Sequence, residues 1–462
     1  MPQTGTAAPT EYDTTEVDRS TRWPVTVLYM SALFWLLVGT VFALIASIKM
    51  HMPDFLGDYA FLTFGRIRSA HLNAVIYGWS SLGTIATLAW LVARLARVPL
   101  RGGIALLATA ALWNLGVLLG VVQIMAGNMR GSEWLEIPTP IPVLFLAAFV
   151  PVIWVSLKTF AQRKIQSTYV SQWYLFGATF WFPAIYVVAY LPVYQGVPQA
   201  AMNWWFAHNV LGIWFTPIGL ASAYYFIPKI VGRPIYSYYL SLLGFWALAL
   251  FYNWNGSHHL VGGPVPTWLM TASITASVMM VIPVAAVAIN HHMTMKGHFS
   301  LLKTSPTLRF IVFGAMSYTG VSLQGSMQAL RNVAQITHFT HHTVAHSHMG
   351  MYAFFTMTLF GAMYYILPRI LRVEWPSAPA IRWHFWLTAL GIGIYVVGLT
   401  IGGFFQGLAL NDPARSFQSI TDEMIPYLEL RSVAGVLIAI GHVVFAISCV
   451  RLLKRAREGL FS

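Results

Sequence analysis

The sequence predicts an all-α polytopic membrane protein with twelve transmembrane helices, and three observations lead to that fold class. Of the 462 residues, 57% are hydrophobic and only 9% are charged, whereas soluble domains carry about 25% charged residues. Apolar runs of about 20 residues follow one another along the chain, each long enough to cross a bilayer. The basic residues lie between these runs, so the formal charge of +13 indicates membrane topology rather than nucleic-acid binding.

The chain reads as one membrane domain with short polar ends. Residues 1–23 are expected to form a cytoplasmic tail, residues 24–455 the twelve-helix domain, and residues 456–462 a second cytoplasmic tail. No cleavable signal is expected, because no small-residue cleavage site follows the first apolar run. The predicted runs are 25–48, 69–93, 104–127, 141–160, 172–193, 206–227, 239–259, 267–289, 308–327, 344–366, 384–405 and 432–453.

The charges between the runs predict the orientation of the helices. Loops after even-numbered runs are basic, whereas loops after odd-numbered runs are acidic, mixed or nearly uncharged. The basic loop residues include Arg94, Arg97, Arg101, Arg163, Lys164, Lys229, Arg233, Lys296, Lys303, Arg369, Arg372, Lys454 and Arg455. The positive-inside rule therefore places both termini in the cytoplasm.

Six histidines fall at one predicted depth, in the outer third of the bilayer. Four lie in the first turns of runs that begin outside, and an adjacent pair closes a run that ends outside. They are His71, His208, His346, His348, His258 and His259. Polar residues inside a membrane are costly and usually functional. The other nine histidines lie in loops or alone at helix ends, and they receive no role.

The number of histidines predicts a metal centre with three parts. Residues i and i+2 of a helix lie on roughly opposite faces, so His346 and His348 can each serve a different cofactor. Two imidazoles on opposite sides of an iron complete a six-coordinate haem, whereas a single axial imidazole leaves a position open for a small gas. Three further imidazoles suit copper. The single cysteine, Cys449, excludes a thiolate cluster.

The segments that carry these residues resemble the catalytic subunit of the cbb(3)-type cytochrome c oxidases, the C family of haem–copper oxygen reductases. The matching segments include FGRIRSAHLNAVIY, WWFAHNVLGIWFT, FWALALFYNWNGSHHL and TVAHSHMG, and the match covers about residues 60 to 410. The resemblance implies the helix bundle of a haem–copper oxidase subunit I in a bacterial inner membrane. It also implies reduction of O2 to water with electrons from cytochrome c, coupled to proton translocation.

The resemblance implies two b-type haems. His71 and His348 would be the axial ligands of a low-spin haem b, and His346 would be the proximal ligand of a high-spin haem b. Arg66 and Arg68 match an arginine pair near the haem propionates, where a guanidinium fork suits a carboxylate.

The resemblance also implies a copper ion, copper B, held by His208, His258 and His259. Tyr252 precedes His258 by six residues, which places it between one and two turns below the metal, where it could donate a proton and an electron. It matches the family's catalytic tyrosine, which is covalently linked to a copper ligand from another helix. By pattern that ligand would be His208.

Other positions are implied by the same resemblance. Glu133 matches a glutamate that helps to bind a calcium ion, and Tyr238 and Ser241 match the family's proton pathway. Two positions depart from the family. Gln324 stands where the family has a glutamate near the high-spin haem, which puts proton handling there in question, and Gly244 replaces a polar position.

Other functions fit parts of the same pattern. Because the chain has no C-x-x-C-H motif, an oxidase would need haem c-bearing subunits that deliver electrons. The main alternative is nitric oxide reduction, with non-haem iron in the three-histidine site. Such iron prefers a carboxylate beside its histidines, yet the chain has no Asp or Glu between Glu136 and Glu374. This absence favours copper and O2, although activity toward nitric oxide stays open. A transporter or non-catalytic haem-binding protein would leave the six histidines unexplained.

Overall fold

A computed structural model describes residues 14–461, and over those residues the chain consists of helices joined by loops and short turns. The twelve long helices are α1 Thr14–Lys49, α2 Phe64–Ala96, α3 Ala105–Ala126, α4 Pro142–Ala161, α5 Val170–Tyr190, α6 Val197–Val231, α7 Tyr238–Tyr252, α8 Thr267–Met295, α9 Pro306–Gln328, α10 His341–Leu371, α11 Ala378–Leu410 and α12 Phe417–Phe461. Ten of them are long and apolar enough to span a membrane; α7 and α9 are the exceptions. The predicted all-α, twelve-helix polytopic fold is confirmed.

Three helices form the centre of the bundle. In α2, α6 and α10, 94%, 89% and 89% of the most apolar window is buried, against 39–44% in the other spans. The remaining helices surround this core and expose apolar side chains such as Val150, Trp154 and Val433, as expected for surfaces that face lipid. We call the end where α2, α6 and α10 begin the histidine end. The opposite end, where basic loops follow these helices, is the basic end.

Each central helix also contains a stretch of π-helix shortly after its histidines. These stretches are Ala74–Ser81 in α2, Leu211–Phe215 in α6 and Met349–Thr356 in α10. A π-turn shifts the side chains that follow it relative to those that precede it, and such turns are frequent at functional sites. All three therefore mark the level of the bundle where the histidines lie.

The end of the seventh helix differs from the prediction. The expected run continued to residue 259, but α7 ends at Tyr252, and the two adjacent histidines lie in a short 3-10 turn, Ser257–Leu260. Gly256 lies between the helix and this turn: its φ is +111°, and a Cβ there would lie 2.8 Å from Trp205 Cα on α6. This close approach of the two chain segments brings the histidine pair against α6.

The ends of the chain contain more helix than expected. Of the predicted N-terminal tail, residues 1–13 lie outside the described residues, whereas residues 14–23 are the first turns of α1. There the carboxylate of Asp18 accepts a hydrogen bond of 3.0 Å from the Trp90 indole on α2, which fixes this part of the chain against the bundle. Residues 456–461 continue α12, and residue 462 lies outside the described residues. The cytoplasmic placement of both ends stays a prediction.

Candidate metal centre

One cavity of about 540 Å³ lies at the histidine end of the central helices. It is lined by all six predicted histidines: His71, His208, His258, His259, His346 and His348. They come from α2, α6, α10 and the 3-10 turn after α7. Because these elements approach the cavity from different sides, residues far apart in sequence share one site.

Three of the histidines form a group of their own. One ring nitrogen from each of His208, His258 and His259 lies within 4.8 Å of the other two. The ring of His208 is perpendicular to that of His258, at a centroid distance of 4.8 Å, and the ring of His259 stacks on Trp204 at 4.6 Å. Among the described residues, a metal ion could be held by groups of histidine, cysteine or acidic side chains, and these three histidines form the group with a suitable arrangement.

The orientation of His258 is fixed by two serines of α8. Ser277 Oγ lies 3.0 Å and Ser273 Oγ 3.3 Å from His258 Nδ1. The Ser277 hydroxyl is itself within hydrogen-bonding distance of two acceptors, Ser273 O and Asn255 Oδ1. Ser277 therefore accepts a hydrogen bond from the imidazole, which leaves Nε2 as the nitrogen with a lone pair for a metal.

Tyr252 lies beside this group. Its ring is 4.9 Å from the ring of His208, centroid to centroid. Gly212, one helical turn after His208, makes the approach possible, because a Cβ at that position would overlap the tyrosine ring. Gly212 was not identified from the sequence, although a glycine four residues after a candidate ligand indicates a close approach on the same helix face.

In both His71 and His348, the same ring nitrogen is bonded to a backbone carbonyl. Nδ1 of His71 donates a 2.9 Å hydrogen bond to the carbonyl of Gly39, and Nδ1 of His348 donates a 2.9 Å bond to the carbonyl of Val344. Because a carbonyl only accepts, Nδ1 carries the hydrogen in both rings, and Nε2 is the nitrogen with a lone pair for a metal. Tyr395 of α11, which the sequence reasoning missed, covers the His348 ring, with its hydroxyl 3.2 Å from Nε2.

His346 faces the other way, toward α9. Its Nδ1 lies 3.3 Å from Gln324 Oε1, so a neutral amide occupies the position beside this imidazole. Gly325 allows the contact, since a Cβ there would lie 2.9 Å from His346 Cε1. One turn away on both helices, Gln328 pairs with His342 in the opposite direction, because its amide nitrogen donates to His342 Nδ1. Neither glutamine pairing was anticipated from the sequence.

The predicted arginine pair is divided. Arg68 lines the cavity and forms a bidentate ion pair with Glu133, at 3.1 and 2.5 Å. Arg66 instead donates to the carbonyl of Met125 at 3.3 Å, beside Gly127 at the end of α3. The carboxylate predicted to bind calcium is thus engaged by a guanidinium, and Asn203 holds its backbone with two further hydrogen bonds. The calcium and propionate roles stay predictions.

Arg431 is a cavity residue that the sequence reasoning missed. Its guanidinium lies over the Tyr395 ring, 5.6 Å from the centroid, and contacts Met50. It lines the cavity near His71 and His348. One signal was available: it is a basic residue at the end of the bundle whose loops are otherwise poor in basic residues. A cation beside both histidines can bind an acidic group carried by a ligand of this cavity.

Glu136, in the loop between α3 and α4, is a second carboxyl group near the site. It is buried, and one oxygen accepts a 3.0 Å hydrogen bond from Asn73, two residues after His71. Burial, together with the neighbouring charge of Glu133, raises its pKa from 4.5 to about 7. The other oxygen has no hydrogen-bond partner, and with this pKa the carboxyl group is partly protonated at neutral pH.

The two predicted proton-pathway residues lie away from the cavity, toward the basic end of α7. Tyr238 donates to the carbonyl of Thr168 at 2.5 Å, and the buried Ser241 donates to the carbonyl of Tyr238 at 2.6 Å. Neither lines the cavity. Their role in proton transfer stays a prediction.

The donor set fits haem iron and copper. In three histidines another group holds Nδ1, so Nε2 carries the lone pair that a metal could bind, with the Tyr395 hydroxyl 3.2 Å from it in His348. A separate three-histidine group suits copper. Partly buried arginines at the cavity wall suit the acidic groups of a haem. The lining residues of this cavity include one carboxylate, that of Glu133.

Comparisons with known proteins identify the family. The family model for the cytochrome c and quinol oxidase polypeptide I matches residues 24–437. The Cbb3-type cytochrome c oxidase subunit CcoN1 of Stutzerimonas stutzeri is 31% identical over 92% of this chain and 93% of its own length. A nitric oxide reductase polypeptide of the same organism is 25% identical over 89% of this chain and 91% of its own length. A solved haem–copper terminal oxidase dimer shares the fold, with a TM-score of 0.72 at 15% identity over 94% of this chain and 84% of that chain. The chain therefore belongs to the cytochrome c and quinol oxidase polypeptide I family, and within it resembles the cbb(3)-type subunit I.

Proposed function

We propose that this chain is the catalytic subunit of a terminal oxidase that reduces O2 to water with electrons from cytochrome c. The observation that carries the proposal is the three-histidine group with the Tyr252 ring 4.9 Å from His208. A phenol at this distance is close enough to supply a proton to a molecule bound at the group.

The residues divide into an electron-transfer side and a reaction side. His71 and His348 would hold the low-spin haem b, His346 the high-spin haem b, and the three-histidine group the copper ion. When bound, these cofactors supply the electrons and the open coordination position at which a small gas is reduced. Tyr252 holds a proton at its phenol oxygen, in a partly buried position on the wall of the cavity.

The choice of O2 over nitric oxide rests on the ligands around the three histidines. Nitric oxide reduction by non-haem iron calls for a carboxylate beside them. The single carboxylate of the cavity, Glu133, is paired with Arg68, and no acidic residue occurs between Glu136 and Glu374. The neutral Gln324 beside His346 adds no such ligand.

The proposal includes partners and a membrane. Electrons would come from haem c-bearing subunits, because this chain has one cysteine and no haem c attachment motif. The protein would lie in a bacterial inner membrane with both termini in the cytoplasm, as the alternation of basic loops predicts. Proton translocation would accompany the reaction, with Tyr238 and Ser241 on the uptake side.

The metal content of the purified holoenzyme tests the proposal first. One copper and two b-type haems per chain, together with O2 consumption driven by reduced cytochrome c, are the expected result. Non-haem iron in place of copper, with reduction of nitric oxide but not O2, would replace the proposal with its alternative.

A tyrosine variant tests the role of Tyr252. We expect Tyr252→Phe to lower O2 consumption by at least about a hundredfold, in the range of lost proton donors, while both haem spectra stay unchanged. Tyr239→Phe is the matched control, since Tyr239 lies on the same helix and is 86% exposed. Normal turnover in Tyr252→Phe would show that the tyrosine is structural.

A further inference from the structure

A pair of adjacent histidines near the basic end of α8 differs sharply in environment. His291 is buried, whereas His292 is exposed. Neither ring nitrogen of His291 has a hydrogen-bond partner within the protein. A neutral imidazole has one donor and one acceptor, and leaving both unsatisfied in the interior is unfavourable. His291 therefore lacks the bonds that a structural histidine would use.

Another buried histidine shows the contrast. Nδ1 of His442 lies 2.7 Å from the hydroxyl of Thr40, and Nε2 lies 2.7 Å from the hydroxyl of Tyr352. That ring links α12 to α1 and α10 through both nitrogens, which is sufficient reason for its presence. His291 links no helices by hydrogen bonds, so its burial calls for another explanation.

The surroundings of His291 are rich in phenol groups. Its ring contacts Tyr224 of α6 at a centroid distance of 4.6 Å, and Tyr224 stacks at 6.0 Å on Tyr174 of α5. The hydroxyl of Tyr174 is buried without a partner and lies 3.5 Å from the position of a Cβ on Gly244. Buried polar atoms of this kind are usually bonded to internal water.

This cluster is continuous with polar groups at the basic end. Asn290, next to His291, bonds the backbone of Ser237 through both amide atoms, at 3.0 and 2.7 Å. It also lies beside the Tyr224 hydroxyl. The segment that carries Tyr238 and Ser241 is thus held directly against the His291 cluster.

In the other direction the cluster leads to the cavity. Tyr174 lies near Tyr318 of α9, and Tyr318 lies near Tyr252. Tyr318 and Tyr252 both line the cavity. Phenol, imidazole and amide groups that interact electrostatically therefore extend from the basic end of the bundle to the tyrosine beside the three-histidine group.

We propose that His291 is a proton-carrying residue that passes protons from the basic end, through Tyr224, Tyr174 and Tyr318, toward Tyr252. The proposal rests on the proposed function. Reduction of one O2 to two H2O takes four electrons from the one-electron donor and four protons. His291 takes up a proton at one ring nitrogen and releases one from the other, so it returns to its neutral form after each transfer and exchanges no electrons.

The test compares His291→Phe, His291→Gln and the matched control His292→Phe in the complete enzyme complex. Turnover with O2 and its solvent deuterium isotope effect are measured, along with reduced-minus-oxidised and carbon-monoxide spectra. Proton uptake on anaerobic reduction is followed with a pH-indicator dye. In His291→Phe we expect turnover and proton uptake to be slowed about tenfold or more, with a larger isotope effect and unchanged spectra. We expect His292→Phe to match the parent and His291→Gln to lie between them.

Each outcome either supports or overturns the proposed role of His291. Equal turnover and proton uptake in His291→Phe and His292→Phe would overturn the proposal. If the Phe variant fails to assemble, His291→Gln decides: normal proton uptake would make His291 a packing residue, and slowed uptake would support proton transfer. If the parent reduces nitric oxide rather than O2, the proposed function fails but the comparison stands. Two NO molecules, two electrons and two protons give N2O and H2O, so slowed proton uptake in His291→Phe alone would still support the path.

Discussion

The two sides of α10 hold histidines two residues apart in very different surroundings. On the side of His348 and His71, the cavity wall carries the charged groups Arg68, Arg431 and Glu133, and both arginines act electrostatically on both histidines. On the side of His346 and His208, the neighbours that act in this way are other histidines. The first side is charged and the second is neutral.

The difference agrees with what each side would do. A six-coordinate haem only exchanges electrons, so fixed charges near it adjust its potential and hold its acidic groups. A site that binds an uncharged gas and takes up protons with each electron is disturbed less by neutral neighbours, since fixed charges interact strongly in a medium of low dielectric constant. The H-x-H spacing on one helix is enough to separate the two environments.

The largest expected effect comes from removing each histidine of this pair. We expect His346→Ala to abolish carbon-monoxide binding and keep the low-spin haem spectrum, and His348→Ala to do the reverse. In both, turnover should fall below about 1% of the parent, because even outer partners of metal ligands are worth ten- to a hundredfold. Optical spectra of the purified variants check this. Carbon-monoxide binding that survives in His346→Ala would show that the two sides are wrongly assigned.

The fold and the histidines were predictable because their signals are periodic and chemical. Apolar runs and basic loops directly reflect the bilayer, and six histidines at one depth reflect a shared site. The end of α7 at Tyr252 was not predictable from apolarity, and the path that follows it depends on the backbone conformation of Gly256 and its close approach to Trp205. The π-turns have no side-chain signature, because they arise from a shift in backbone hydrogen bonding.

The hydrogen-bond partners and the burial of individual side chains were also not predictable from the sequence. The sequence could show that Gln324 is neutral, but not that it pairs with His346, nor that Gln328 pairs with His342 one turn away. His291 and His292 are identical and adjacent in sequence, and only the packing of α8 distinguishes a buried from an exposed ring. Arg431 was not identified as a site residue because it lies one residue before the expected start of its apolar run.

The next effect concerns the buried carboxyl group on the charged side. Glu136 has a pKa of about 7 in the folded protein against 4.5 for an ordinary glutamate, so the folded state binds more protons between these values. Stability should therefore fall as the pH rises from about 4.5 to 7, by on the order of 3 kcal/mol in total. We expect Glu136→Gln to remove this fall. Melting temperature against pH measures it, with the exposed Glu374→Gln as control; an unchanged pH profile in Glu136→Gln would contradict the assignment.

A smaller effect is expected from the charge of Arg431. Removing a positive charge near His71 and His348 disfavours the reduced, more electron-rich cofactor there. At an effective dielectric constant of about 20, such an interaction is roughly 1–2 kcal/mol, or about 45–90 mV for one electron. We expect Arg431→Met to lower the midpoint potential of the low-spin haem by this amount. Arg451→Met, an exposed arginine near the other end of α12, should leave it unchanged, and an equal shift in both variants would refute a local effect.

The smallest expected effect comes from placing a charge at Gln324, on the neutral side of α10. A carboxylate in its place would accept the His346 Nδ1–H more strongly than the amide, by about 1 kcal/mol for a charge-assisted bond. The imidazole then becomes a stronger electron donor to its metal. We expect Gln324→Glu to lower the potential of the high-spin haem by about 40 mV and Gln324→Leu to change it by less. Gln328→Glu, one turn away beside His342, is the matched control. If it shifts the potential as much as Gln324→Glu, the charge acts over the whole helix face, and the hydrogen bond to His346 is not what adjusts the neutral side.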